Sequence, residues 1–158
     1  MIDISTDHGT ITVERTLEAP VSRVYTAFAD PKQREAWGAP SDTAVFVYDE
    51  ADFRVDGRDL ARCGPKDDPR FRVETRYVDI VRERRVVSTE TVRDLDKLLA
   101  ANITTFEMRP EGERTHVRIT VQVTSFVGPD MIKNTKFGHE GSLAGMARYV
   151  ERATRDAG

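Results

Sequence analysis

An imidazole on an apolar helical stripe, an acid and a thiol on one strand face, and three more polar side chains among apolar neighbours are the groups here that could do chemistry. His139 recurs with Leu143, Met146 and Val150 at spacings of four, three and four, which is one side of a helix. Asp59 and Cys63 share a strand face with Ala61, opposite Leu60 and Arg62. Arg15 falls on the face of Ile11, Val13 and Leu17, Glu90 on that of Val86, Ser88 and Val92, and Asn102 on that of Thr104, Phe106 and Met108. An imidazole near an acid can accept a proton or orient a bound molecule, and a thiol near both can in principle be a nucleophile. Each group also has a plainer use. Arg15 can snorkel to water or pair with a carboxylate, Cys63 can pack as a small apolar residue, Glu90 and Asn102 can sit at strand ends, and His139 can simply fill space. No nucleophile-elbow or cysteine-protease signature accompanies the Cys63, His139 and Asp59 set. No histidine pair has ligand spacing, and CxxC, HExxH, phosphate-loop and dinucleotide patterns are missing, so neither a metal nor a cofactor is expected.

The elements that must position these residues are mostly strands. Residues 10–18 alternate strictly between Ile11, Val13 and Leu17 on one face and threonines and glutamates on the other. Pro20 then suits the first turn of a helix over VSRVYTAFAD, and a second short helix over KQREAW is predicted to end at Gly38. Strands are predicted over TAVFVY, RDLARC, FRVETRYVDI, RVVSTETV, ANITTFEMRP and THVRITVQV. With the first strand this makes six or seven, joined by short loops, which favours antiparallel pairing. FVGPDMIKNTK is too broken to assign, and one long helix over residues 137–157 closes the chain. Its polar face carries Arg148, Glu151, Arg152 and Arg155. Gly141 and Gly145 each cost about 1 kcal/mol in a helix interior, so they need either a close approach of the helix to the sheet or room for a ligand. Gly138 is read as outside the helix proper.

The chain of 158 residues is read as one domain, residues 1–158, able to bury a core without staples. Its net charge of −3, with both signs interspersed, excludes an electrostatic footprint for nucleic acid. No apolar run approaches the roughly 20 residues needed to cross a bilayer, so no membrane insertion is expected. MIDISTDHGT has no signal-peptide pattern, and the single Cys63 fits a reducing compartment, so a cytoplasmic location is expected.

Three stretches, ITVERTLEAPVSRVYTAFADPKQREAWGAP at residues 11–40, DFRVDGR at 52–58 and YVDIVRERRVV at 77–87, resemble in turn the opening, the acidic hairpin and the Tyr-x-(Asp/Glu)-Ile strand end of the START-like, or SRPBCC, superfamily. GHEGSLAGMARYVE at 138–151 is similar to its closing helix, with His139 where a tryptophan is common. Within that superfamily the chain is most similar to bacterial proteins resembling the C-terminal domain of the activator of the ninety-kilodalton heat-shock chaperone ATPase. The resemblance implies an α+β helix-grip fold, in which a curved antiparallel sheet of six or seven strands wraps a long C-terminal helix. It also implies that Asp59 and Cys63 face a cavity between sheet and helix.

The expected function is binding of a small hydrophobic or amphipathic molecule in that cavity. Trp37, Phe46, Tyr48, Tyr77 and Phe106 are its aromatic wall, Leu143 and Met146 its helix side, and Arg15, Asp59, Cys63, Glu90, Asn102 and His139 its polar or reactive groups. Such a site calls for about 300 Å³ or more. One alternative is an enzyme of the polyketide cyclase or dehydratase kind, which requires His139 within hydrogen-bond reach of an acid or of Cys63. The other is a co-chaperone-like interaction domain, which requires an exposed apolar patch that the polar outer strand faces do not offer. A monomer and a homodimer are both compatible with the sequence.

Overall fold

In the computed structural model, which describes residues 4–157 (side chains to 154), seven strands form one antiparallel sheet. In chain order the elements are β1 (Asp7–Leu17), α1 (Val21–Ala29), α2 (Pro31–Trp37), β2 (Ala44–Glu50), β3 (Arg58–Pro65), β4 (Phe71–Val81), β5 (Arg85–Asp94), β6 (Lys97–Glu111), β7 (Arg114–Ser125) and α3 (Asp130–Ala157). The strand order is β1-β7-β6-β5-β4-β3-β2. Strands β2 to β7 follow one another as a meander. The helices α1 and α2 carry the chain from β1 to the far edge, so β1 closes onto β7 instead of β2. The helix-grip α+β architecture expected above is therefore present.

Strict alternation builds the inner face. Val117, Val121 and Val123 of β7 are buried while Arg118 and Gln122 between them are exposed. Phe106 and Met108 of β6 and Ile11, Val13 and Leu17 of β1 continue the same face, and Leu143, Met146, Ala147 and Val150 of α3 pack onto it. A bulge at Val78, between Tyr77 and Asp79, shifts the register of β4 against β5 and leaves Val78 exposed. Parity read before the bulge holds, so Tyr77 points inward and is buried.

Two readings of the closing helix are corrected. It begins at Asp130, seven residues before residue 137, and FVGPDMIKNTK supplies its first two turns. Gly128-Pro129 precedes the helix as its entry and does not break it; Asp130 then places a carboxylate in the first turn, where the helix dipole favours it. Gly138 accordingly lies inside α3. The side chain of Arg155 lies outside the described residues.

The interior glycines of α3 answer to close packing, against the α2–β2 connection and not the sheet. A Cβ on Gly141 would stand 2.4 Å from the Pro40 carbonyl oxygen, and one on Gly145 would stand 2.6 Å from that of Trp37. Ser142 lies between them and donates its hydroxyl to the Gly38 carbonyl at 2.7 Å. The helix is thus seated on the segment that follows α2, and room for a ligand is not the reason for either glycine.

Candidate functional site

Asp30 starts α2 by accepting the Lys32 amide, with Pro31 in the first turn. The helix is only seven residues long, and its one buried side chain is a charged one, Arg34. The guanidinium donates through Nε and Nη2 to the Phe28 carbonyl at 2.9 and 2.5 Å. Nη1 lies 2.6 Å from the Tyr48 hydroxyl, 2.8 Å from that of Tyr77 and 3.1 Å from Asp59 Oδ2. Tyr77 donates its own proton to the same Asp59 oxygen, while Asp59 Oδ1 accepts the Asp52 amide at 2.8 Å. Glu35, the next residue of α2, accepts the Tyr48 amide at 2.8 Å. A buried ion pair with every oxygen engaged therefore ties α2 to β2, β3 and β4.

Electrostatics follow from this packing. Burial opposes the Arg34 charge, but the Tyr48 and Tyr77 oxygens and Asp59 outweigh it and hold the guanidinium above its ordinary pKa. Burial pushes the Tyr48 phenol up to about 12 despite Arg34, so the phenol stays protonated at neutral pH. Its oxygen accepts from Arg34, and among the described residues its proton has no acceptor.

Above this network lies a cavity of roughly 140 Å³ between the sheet, α1, α2 and α3. Phe28, Trp37, Phe46, Phe106, Leu143 and Met146 form its apolar wall. The Phe28 and Phe106 rings lie 4.4 Å apart, centroid to centroid, and Trp37 is fixed by donating Nε1 to the Ala27 carbonyl at 2.9 Å. Arg34, Tyr48, Tyr77, Ser88, Glu90, Thr104 and His139 supply its polar side. Ser88 and Thr104 face one another across β5 and β6, and the buried Thr104 Oγ1 has no hydrogen-bond partner. A wider, open concavity of roughly 760 Å³ on the opposite side of the sheet is lined by Arg76, Thr89, Thr91, Gln122 and Thr124 together with the apolar Ala101 and Ile103.

The structure brings Trp37, Phe46, Tyr48, Tyr77, Glu90, Phe106, His139, Leu143 and Met146 to this one cavity. Asp59 is buried beneath it as the counter-ion of Arg34. Three expectations are corrected. Arg15 is on the predicted face but exposed, and it does not line the cavity; its long stem reaches water from the strand's end. Cys63 shares the face of Asp59 but lies outside the lining, and burial together with the charge of Glu90 pushes its thiol up to about 11, the opposite of an activated nucleophile. Asn102 pairs with Glu90 across β5 and β6 but also lies outside the lining, its buried Oδ1 unpartnered. His139 makes no hydrogen bond with a described residue and Asp59 is spent on Arg34, so no Cys63–His139–Asp59 triad exists. The volume also falls short of the 300 Å³ expected, because the aromatic wall fills much of the interior.

Phe28, Arg34, Ser88 and Thr104 are among the site residues that sequence reasoning missed. The available signal was indirect: an inward Asp59 needs a cation, and inward Tyr48 and Tyr77 hydroxyls need a partner. Among the described residues no cluster of histidines, cysteines and acids could hold a metal ion, and no helix is long and apolar enough to cross a membrane.

The chain is similar to several solved structures. A protein of Rhizobium loti is 32% identical, with 92% of this chain and 99% of that chain covered at a TM-score of 0.80. One of Chromobacterium violaceum is 28% identical over 90% of this chain and 96% of that chain at 0.79, and a putative uncharacterized protein of Rhizobium leguminosarum is 25% identical over 94% and 97% at 0.79. No curated protein matches. Residues 18–151, from the end of β1 through the part of α3 that walls the cavity, match the family described as activator of Hsp90 ATPase homolog 1-like protein, and the chain belongs to that family.

Proposed function

We propose that the protein binds one small molecule in the cavity between the sheet and α3, with a largely apolar body and a polar end. The observation that carries this reading is the cavity itself: roughly 140 Å³, walled by rings, with the Thr104 hydroxyl unpartnered inside it. An apolar cavity of about 150 Å³ holds a benzene-sized guest, so the ligand is of single-ring or short-chain size and not a long lipid. Unspent polar groups such as the Tyr48 proton and the Thr104 oxygen would orient it.

Binding without turnover is the better reading, because among the described residues His139 forms no hydrogen bond or ion pair with an acid or a thiol. A surface acting on a chaperone draws less support: the exposed large apolar residues are divided among the β2–β3 and β5–β6 turns (Val55, Leu95), β4 and β6 (Val78, Ile103), the β7–α3 link (Phe126, Val127), α3 (Phe137) and the start of the chain (Ile4). Methyl spectra recorded with increasing benzyl alcohol test the proposal. Saturable shifts at Leu143 and Met146 are expected, and unmoved methyls at both would contradict it.

A further inference from the structure

The charges at the cavity do not balance. Arg34 is matched by Asp59, 3.1 Å away. Glu90 is the acid at the lining itself, and among the described residues it enters no hydrogen bond or ion pair. Its neighbours make the imbalance sharper. Across β6 stands Asn102, whose buried Oδ1 has no donor, and one inward position along β6 is Thr104, whose buried Oγ1 has none either. Thr75 faces Glu90 from β4. At the lining, the Glu90 carboxylate and the unpartnered Thr104 hydroxyl therefore lie on neighbouring strands of a ring-walled cavity, with the Asn102 oxygen buried just outside it.

We propose that the ligand is a primary ammonium ion on a single-ring or short apolar body, with its cation at Glu90 and its body among Phe28, Phe46, Phe106 and Leu143. This deepens the small-molecule reading above and rests on it. An ammonium offers three N–H donors and accepts nothing, which complements a carboxylate with an unfilled hydroxyl acceptor on the next strand. A hydroxyl brings one donor and no charge, and a carboxylate is repelled. The aromatic wall favours a cation further, since ring faces attract positive charge. Among the described residues no cation is paired with Glu90. The Arg34 donors are directed at Phe28, Tyr48, Tyr77 and Asp59. His139 is held below its ordinary pKa by burial, against the pull of Glu90, so it brings no charge there at neutral pH.

The probes are benzylammonium, benzyl alcohol and benzoate, three near-isosteres differing in charge, titrated at neutral pH against the intact chain. The readout is emission from Trp37, the single tryptophan, which lines the cavity. Benzylammonium is expected to bind about tenfold or more tighter than benzyl alcohol, and benzoate not to bind, as a charge-assisted contact implies. Glu90→Gln is expected to remove that preference. Benzyl alcohol binding as tightly as benzylammonium would overturn the ammonium assignment and leave the small-molecule reading standing. A preference that survives Glu90→Gln would overturn the role of Glu90. Failure of all three probes would overturn both readings. The comparison within the wild-type chain stands even where Glu90→Gln folds poorly.

Discussion

Arg34 Nη1 lies 3.1 Å from Asp59 Oδ2, with the two side chains 11% and 3% exposed, and this pair holds α2 to the sheet beneath the cavity. Removing one partner leaves a buried charge alone. Arg34→Met and Asp59→Asn are each expected to cost about 3–5 kcal/mol. The double variant is expected to cost less than the sum, because no lone charge remains. Chemical denaturation of the three variants checks this, and strictly additive losses would show that the two side chains act independently.

The helix glycines divide by what surrounds them. A Cβ at Gly141 or Gly145 meets a backbone carbonyl at 2.4 or 2.6 Å, whereas one at Gly138 meets nothing within 4 Å. Gly138→Ala is expected to stabilise by up to about 1 kcal/mol through helix propensity. Gly141→Ala and Gly145→Ala are expected to destabilise by about 1–3 kcal/mol, since the helix must shift from residues 37–40. Equal stabilisation by all three in thermal melts would remove close packing as their explanation.

This contrast shows what a sequence carries and what it does not. The alternation of Val117, Val121 and Val123 against Arg118 and Gln122 states the inner face directly, because strand geometry has a period of two. Parity assigns a face but not a depth, so Arg15 has the right side and the wrong surroundings. Arg34 left no pattern, since a helix of seven residues is too short to show a period and burial of its charge depends on Asp59, 25 positions later. The cavity volume depends on how Phe28 and Phe106 meet, and they are brought together only by the folded sheet and α1.

His139 gives a pH signature. Burial lowers its pKa in the folded chain, so the unfolded chain takes up the proton first, near pH 6.5. Below that value the unfolded state holds more protons, and stability falls as pH falls towards the folded pKa; the contribution is fully present above about pH 7. The advantage in Tm of the wild type over His139→Gln is therefore expected to shrink between about pH 7.5 and about pH 5. His8 and His116 are common to both proteins and cancel in the difference. A Tm difference that stays constant with pH would show that His139 does not titrate differently in the folded chain.

The binding proposed here, of one small guest in the cavity of roughly 140 Å³ beside Trp37, has a direct readout. The most direct measurement is Trp37 emission during titration with benzyl alcohol and, separately, with palmitate. A saturable one-site change is expected with benzyl alcohol and none with palmitate, whose long chain exceeds the space. A saturable response to palmitate with none to benzyl alcohol would contradict it.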